Sequence, residues 1–291
     1  MDYIVQWARH WLSRRTGRIT LKTPEELRRL REAGRLTGQL LRLLGAAVQP
    51  GLPVYELDEL ADAFLREHGA ETVFRGYQPD FADTPFPGHI CVSINEEVVH
   101  GLPNRKRRLR EGDIVSIDVG VRWDGYVGDA AATFPVGSVD PVHARLIAVT
   151  REALARGIAQ ARPGHHIGAI GHAIETWVEH ENGLRVIREY VGHGVGRHLH
   201  EDPVVPNYGA PHQGIRLRPG LVIAIEPMVV TGSGETEVLP DGWTVVTRDG
   251  SFAAHFEHTV AITDRGPWIL TNPDEDEDFI GPQATDHGPR P

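Results

Sequence analysis

The chain repeats itself at long range. Leu109-Arg110-Glu111-Gly112-Asp113-Ile114-Val115-Ser116-Ile117-Asp118 aligns with Leu217-Arg218-Pro219-Gly220-Leu221-Val222-Ile223-Ala224-Ile225-Glu226, 108 positions later, with acid on acid. Upstream, Pro50-Gly51 followed by Val54, Leu57, Ala61, Phe64 and Leu65 aligns with Pro163-Gly164 followed by Ile167, Ile170, Ile174, Trp177 and Val178, 113 positions later. That apolar spacing is the spacing of one helix face. Val99-His100 with Pro103 and Leu199-His200 with Pro203 echo each other too. Each half therefore supplies helices, then a histidine, then an acid-tipped strand, and internal similarity on this scale constrains the fold to two related halves. A pseudo-twofold axis joining them would bring the acids of both halves together.

The coarse path is that of a mixed α/β (α+β) chain. Thr23-Pro24-Glu25-Glu26 is a capping box with proline in the first turn. It opens a helix marked by Leu27, Leu30, Ala33, Leu40, Leu41 and Leu44 that stops near Pro50-Gly51. A second helix ends near Gly69, strands follow from about Ile90 to Phe134, and Val142 to Ala161 with Ile167 to His180 repeat the helical pair. The last strands run from Val186 to Leu270.

Asp124-Gly125 is a strong two-residue hairpin signal. With those residues in the turn, Trp123 faces Tyr126, Gly120 faces Asp129, and Asp118 projects from the same face as Asp129. The two carboxylates become diagonal cross-strand neighbours with Cβ atoms up to roughly 7–8 Å apart. That is a span from which two carboxylates can share a pair of ions about 3.5–4 Å from each other.

Asp118, Asp129, His193, Glu226 and Glu257 all sit in segments that read as strands or strand edges. Four carboxylates gathered without a cation repel one another and their pKa values rise, so a set of this composition is either metallated or not a cluster.

The residues now on the page resemble a known family. The blocks Cys91-Val92-Ser93-Ile94-Asn95-Glu96-Glu97-Val98-Val99-His100-Gly101, Asp113 to Asp118, Gly128-Asp129, Gly192-His193-Gly194-Val195-Gly196-Arg197, His200-Glu201-Asp202-Pro203, Ile225-Glu226-Pro227-Met228, Asp241-Gly242-Trp243-Thr244 and Glu257-His258-Thr259 occur in order. Over about Thr23 to Thr271 the chain resembles the type I methionine aminopeptidases of the pita-bread metallopeptidase fold, peptidase family M24. The resemblance implies two pseudo-symmetric halves, a central curved antiparallel sheet and helices on its outer face. It implies Asp118, Asp129, His193, Glu226 and Glu257 as metal ligands, with Asp129 and Glu257 bridging two divalent ions (Co, Mn, Fe or Zn). It also implies Glu226 as the proton acceptor, His100 and His200 as groups that hold the peptide and its tetrahedral intermediate, and a methionine pocket of Tyr77, Phe86, Cys91, Leu199 and Trp243. The implied activity is removal of the initiator methionine from nascent polypeptide N-termini.

Two departures from the family pattern stand out. The usual compact Gly-Tyr-His-Gly-Phe-Pro is replaced by Gly76-Tyr77-Gln78-Pro79-Asp80-Phe81-Ala82-Asp83-Thr84-Pro85-Phe86-Pro87, which bears on the pocket rim. His198 stands where the family usually has a small residue; no role is assigned to it, although an imidazole there could narrow or repolarise one wall of the site. Rival readings are a proline-specific aminopeptidase or dipeptidase of the same fold, whose members resemble longer chains, and a metal-free binding module. The 31 positions from Glu226 to Glu257 leave no room for the helical subdomain of the type II methionine enzymes.

Composition bounds the rest. A chain of 291 residues with 40% hydrophobic content can bury one substantial core, so a single domain is expected over residues 20–272, with halves of about 22–136 and 141–271. Its one cysteine, Cys91, excludes an intramolecular disulfide and fits a reducing cytoplasm. Asp2 and Arg9 interrupt the apolar start, so no signal peptide is expected, and no run reaches the ~18 residues of a membrane span. A net charge of −10 argues against DNA as a partner. The basic run Arg105-Lys106-Arg107-Arg108-Leu109-Arg110 is expected to be a solvated turn, or else a contact with ribosomal RNA. Residues 1–19 read as an amphipathic extension, with Ile4, Val5, Ala8, Trp11 and Leu12 on one helical face. Residues 273–291 read as an acidic, disordered tail.

Overall fold

The structure is a computed structural model that describes residues 19–79 and 82–274. The expected N-terminal helical face and almost all of the acidic tail lie outside the described residues.

Helix α1 (Pro24–Ala47) begins where its sequence says it should. The Glu26 amide donates to the Thr23 hydroxyl at 3.3 Å and the Thr23 amide donates to the Glu26 carboxylate at 2.9 Å, so two otherwise orphaned donors are satisfied. Helix α2 (Val54–Glu67) follows, then strands β1 (Glu71–Thr72), β2 (Cys91–Ile94), β3 (Glu97–Val99), β4 (Ile114–Trp123) and β5 (Tyr126–Pro135). The second half opens with α3 (Pro141–Gln160), capped by the Asp140 carboxylate on the Val142 amide. Then come α4 (Ile167–Glu175) and strands β6 (Arg185–Val186), β7 (Gly192–Gly194), β8 (Glu201–Val205), β9 (Val222–Ile225), β10 (Met228–Val230), β11 (Thr236–Val238), β12 (Val245–Thr247), β13 (Ala253–His255), β14 (Glu257–Thr263) and β15 (Gly266–Ile269). The helix expected to run to His180 instead widens after Glu175 into a π-helical turn at Thr176–Glu181. There the Trp177 indole donates to the Val149 carbonyl at 3.0 Å, and the Arg156 guanidinium lies 3.8 Å over its ring.

Among the described residues the main sheet runs β1-β4-β5-β14-β9-β7-β8, with β2 also on β4 and β15 also on β14, and every pairing is antiparallel. The repeat is visible in this order. The repeated strands β4 and β9 flank a central pair, β5 and β14, so the pseudo-twofold passes between the two inner strands.

Strand alternation then separates core from site. Val115, Ile117, Val119 and Val121 of β4 pack with Leu36, Leu40 and Leu44 of α1 and Val54 and Leu57 of α2. Ile223 and Ile225 of β9 and Val260 and Ile262 of β14 pack with Leu146, Leu154, Ile170 and Ile174 of the second helical pair. The outer face of the sheet is thus covered by both helix pairs, and Asp118, at an even position of β4, faces the other way. Helix α1 can lie this close because glycine meets glycine. A Cβ built on Gly128 would stand 2.7 Å from the Gly34 Cα and 2.9 Å from its amide nitrogen, inside backbone contact distance.

The basic run is more than a solvated turn. Arg107 pairs with the buried Glu97 at 2.8 Å and Arg108 donates to the Gly51 carbonyl at 2.9 Å, while Arg105, Lys106 and Arg110 are exposed. No helix among the described residues is long and apolar enough to cross a membrane.

Candidate metal centre

The β4–β5 hairpin turns at Asp124-Gly125, with φ of 47° and 76°. Two successive positive φ angles make the turn whose twist suits a hairpin, and asparagine, aspartate and glycine tolerate them best. The resulting register pairs Trp123 with Tyr126 and Gly120 with Asp129, as the sequence requires.

Register places the acids in two adjacent rows on one sheet face. In the first row Cys91 pairs with Asp118, Asp118 with Ala131, and Ala131 with Glu257. His258 pairs with Ile225, so one step further Glu226 comes opposite Glu257. In the second row Gly120 pairs with Asp129, Ala224 pairs with Thr259, and Gly194 pairs with Ile223, which brings His193 beside Ala224. The neighbours between the charged groups include Ala131 and Ala224, whose small side chains leave room above the sheet, whereas the space over Gly120 is filled by Val73 and Phe74. Thr259 closes the second row. Its hydroxyl accepts from the Asp129 amide at 2.9 Å and donates to the Asp129 carbonyl at 2.8 Å, which ties β5 to β14 where Asp129 projects.

His193 is oriented by its other nitrogen. Nδ1 lies 3.0 Å from the Gly194 carbonyl, an acceptor only, so Nδ1 carries the proton and the Nε2 lone pair faces the acids. Nε2 stands 3.6 Å from Asp129 Oδ2 and 3.4 Å from Glu226 Oε1. Candidate ligand atoms of Asp129, His193 and Glu257 all lie within 4.8 Å of one another, and so do those of Glu226, His255 and Glu257. Glu257 is common to both groups.

The electrostatics are those of a site built for cations. Burial pushes the Asp118 carboxyl up to about 7. Asp129 rises through burial and the charge of Asp118. Glu226 and Glu257 rise through burial and then the other acids. Asp118 Oδ1, Asp129 Oδ1 and Glu257 Oε1 are buried with no hydrogen-bond partner. Buried carboxylate oxygens left unpaired are expensive, and among the described residues no Lys or Arg lines the cavity to pair with them. An all-oxygen set with one or two imidazoles fits divalent ions of the Mn, Fe, Co and Zn type.

Beside the acids lies a cavity of about 60 Å³ whose lining includes all of the sequence-predicted residues: Tyr77, Phe86, Cys91, His100, Asp118, Asp129, His193, Leu199, His200, Glu226, Trp243 and Glu257. Phe86 and Trp243 meet edge to face at 5.2 Å between ring centres. Burial holds His100 down at about 4 and His200 well below its usual value, so both rings are neutral near pH 7. The Tyr77 hydroxyl lies 3.2 Å from His200 Nδ1. The loop bearing Leu199 and His200 is fixed by Glu201, whose carboxylate accepts from the Arg197 amide at 2.8 Å and is paired at 2.6 Å with the buried Lys22. His100 sits at a φ of 59°, a left-handed conformation of the kind retained where the surroundings over-determine it.

The insertion after Tyr77 leaves the pocket aromatics in place. The Gly76 amide donates to the Phe86 carbonyl and the Phe86 amide to the Tyr77 carbonyl, both at 2.9 Å, so residues 76–77 and 86 form a closed neck at the base of the insertion. The Trp243 indole donates to the Thr84 carbonyl at 3.1 Å, which makes the insertion part of the rim. His198 takes no part in the cavity. Its side chain is exposed and outside the cavity lining, because its amide turns toward Glu201 at 3.2 Å.

Sequence reasoning missed Phe74, Val99, Tyr190, Val191, Met228 and His255, which also line the cavity. His255 had a signal: it lies two residues before Glu257, the spacing that keeps extended residues on one side.

Residues 28–264 match the family described as metallopeptidase family M24. The chain belongs to that family. Among curated members, this M24 chain is 50% identical to methionine aminopeptidase 1 of Bacillus subtilis over 253 residues, 87% of this chain and 99% of that protein. It is 44% identical to methionine aminopeptidase 1 of Mycobacterium tuberculosis over 267 residues, 89% of this chain and 98% of that protein. The structure of methionine aminopeptidase from Thermotoga maritima superposes with a TM-score of 0.84 at 45% identity, covering 87% and 99% of the two chains. Prolidase from Pyrococcus furiosus shares the fold at a TM-score of 0.66 and 22% identity, and only 65% of that longer chain is covered. Its proline specificity does not transfer at that distance.

Proposed function

We propose that this M24 peptidase removes the initiator methionine from the N-termini of nascent polypeptides in the cytoplasm. One observation carries the reading: four carboxylates in two rows, three of them with a buried, unpaired oxygen, open with His193 onto a small cavity partly walled by apolar side chains, in a chain 50% identical over 253 residues to a methionine aminopeptidase. Asp118, Asp129, His193, Glu226 and Glu257 would hold two divalent cations, with Asp129 and Glu257 shared between them. When bound, those ions supply Lewis-acid polarisation of the scissile carbonyl and lower the pKa of a water molecule.

The residues of this chain do the remaining work. Glu226 takes the proton from the attacking water and returns it to the leaving amine. Neutral His200 and His100 hydrogen-bond the peptide and steady the tetrahedral intermediate without adding charge. In the tautomer that carries its proton on Nε2, His200 accepts from the Tyr77 hydroxyl at Nδ1 and keeps Nε2–H as a donor. Tyr77, Phe86, Cys91, Leu199 and Trp243 receive the first side chain. The apolar walls suit an unbranched thioether, which is accommodated by shape and dispersion.

Metal-stripped protein should release no methionine from Met-Ala-Ser and regain that activity with Mn²⁺ or Co²⁺, while Ala-Pro-Ser and Leu-Ala-Ser remain intact. Preferential cleavage of Ala-Pro-Ser would move the specificity to the proline-directed relatives. Silence with every one of Mn, Fe, Co and Zn would sink the catalytic reading. His200→Ala should lower kcat by about 10²–10³-fold, the usual loss for one oxyanion donor, with Co²⁺ affinity by calorimetry unchanged. Weakened Co²⁺ binding in that variant would instead make His200 a support of the metal centre.

Work on nascent chains favours a dock at the ribosome, and exposed Arg105, Lys106 and Arg110 supply the charge for a contact with ribosomal RNA. Co-sedimentation with ribosomes should weaken with salt and vanish when the three are changed to Glu. Absence of binding at low salt removes the contact.

A further inference from the structure

His255 is a second buried imidazole at this centre, and nothing in the mechanism above uses it. It is 2% exposed, and its Nε2 atom is buried without a hydrogen-bond partner. That atom lies 3.7 Å from Glu226 Oε2, while the other oxygen, Oε1, lies 3.4 Å from His193 Nε2. Glu226 is therefore held between two imidazoles, one to each oxygen. Two donors bound about 2.1 Å from one ion stand roughly 3–4 Å apart, so both separations suit a cation shared across the gap better than a direct hydrogen bond.

The backbone fixes this placement. The His255 amide donates to the Thr133 hydroxyl at 2.8 Å, and that hydroxyl donates to the His255 carbonyl at 3.0 Å. Thr133 is two residues from Ala131 on the inner face of β5 and is contacted at 2.8 Å by the Ser116 hydroxyl. Both backbone polar groups of His255 are thus pinned to the sheet face that carries the acids. Thr259 pins Asp129 in the same way, so the two halves use one device for two groups.

We propose that His255 is a further metal ligand, an imidazole that joins Glu226 and Glu257 around one of the two cations. The proposal rests on the metal reading of the site given above. A second nitrogen donor shifts the preference of the centre toward ions that favour imidazole, such as Co²⁺, Zn²⁺ and Fe²⁺, and away from Mn²⁺, which is content with oxygen.

The test is metal binding by the full chain, with no peptide present. Metal-stripped wild type and His255→Gln are titrated with Co²⁺ and separately with Mn²⁺ by calorimetry, and proton spectra are taken of the Co²⁺-loaded proteins. Each imidazole bound to Co²⁺ displays one exchangeable N–H proton shifted far outside the ordinary range. Two such protons are expected in wild type and one in His255→Gln. Co²⁺ affinity should fall by about 10–100-fold in the variant, and Mn²⁺ affinity by much less. One shifted proton in wild type, with equal Co²⁺ affinity in both proteins, overturns the assignment while leaving the centre itself intact. Wild type that takes up no Co²⁺ overturns the metal reading and the His255 assignment together. His255→Asn is the second variant should glutamine misfold, and circular dichroism of the metal-free proteins identifies that case.

Discussion

Changing Glu226 to Gln is expected to lower the rate of methionine release from Met-Ala-Ser by about 10³-fold, with the loss in kcat. The substitution keeps the size and shape of the side chain, and only an oxygen becomes an amide nitrogen. What disappears is the capacity to accept a proton and the negative charge that the two oxygens present to His193 at 3.4 Å and His255 at 3.7 Å. Glu226 follows the last residue of β9, and its carbonyl accepts from the Asn207 side chain at 3.0 Å, so backbone placement does not depend on the carboxylate. Circular dichroism should therefore match wild type. Retention of a tenth or more of wild-type kcat would remove Glu226 from the proton-transfer role, whatever its effect on metal binding.

Loading metal-stripped protein with Mn²⁺ or Co²⁺ at about 100 times the dissociation constant should stabilise it by about 2.7 kcal/mol, which for a domain of this size raises Tm by roughly 5–10 °C. Four carboxylates on one sheet face, three of them with a buried oxygen that has no partner, repel one another until a cation intervenes. Asp129→Asn should abolish the shift. Because the amide removes one of the repelling charges, the metal-free variant should melt no lower than metal-free wild type. A metal-dependent shift that survives Asp129→Asn would place the cations elsewhere, and a lower melting metal-free variant would mean that Asp129 stabilises the fold without metal.

Much of this site could be read from local signals because its supports are local. The Asp124-Gly125 turn sets the register of β4 on β5, and register alone decides that Asp118 and Asp129 share a face. The long-range repeat carried the next step, since strands of like sequence take like places about an axis, and β4 and β9 do flank β5 and β14. Even the histidine echo holds in space: Val99, His100, Leu199 and His200 all line one cavity.

Other features had no local signature. His198 differs from the family pattern in sequence, yet the Glu201 carboxylate, held by Lys22 from far along the chain, turns that segment so that the imidazole faces outward. The insertion after Tyr77 spares the pocket because two backbone hydrogen bonds between residues 76–77 and residue 86 close its neck. His255 enters the site because Thr133, more than a hundred residues earlier, holds both of its backbone groups. The widening of α4 into a π turn accompanies a tryptophan anchored on α3.

By itself, then, the sequence determined which residues are strands and helices, which face of each strand is polar, and that two halves must meet. Periodicity, caps and turn chemistry are short-range, so the order of residues is enough to specify them. Tertiary structure alone decided how Asp129, His193, Glu226, His255 and Glu257 converge so that candidate ligand atoms lie within 4.8 Å of one another in groups of three, and which loop residues face the cavity. Those outcomes depend on single contacts between segments far apart in the chain, and no spacing along a sequence encodes a distance across a sheet.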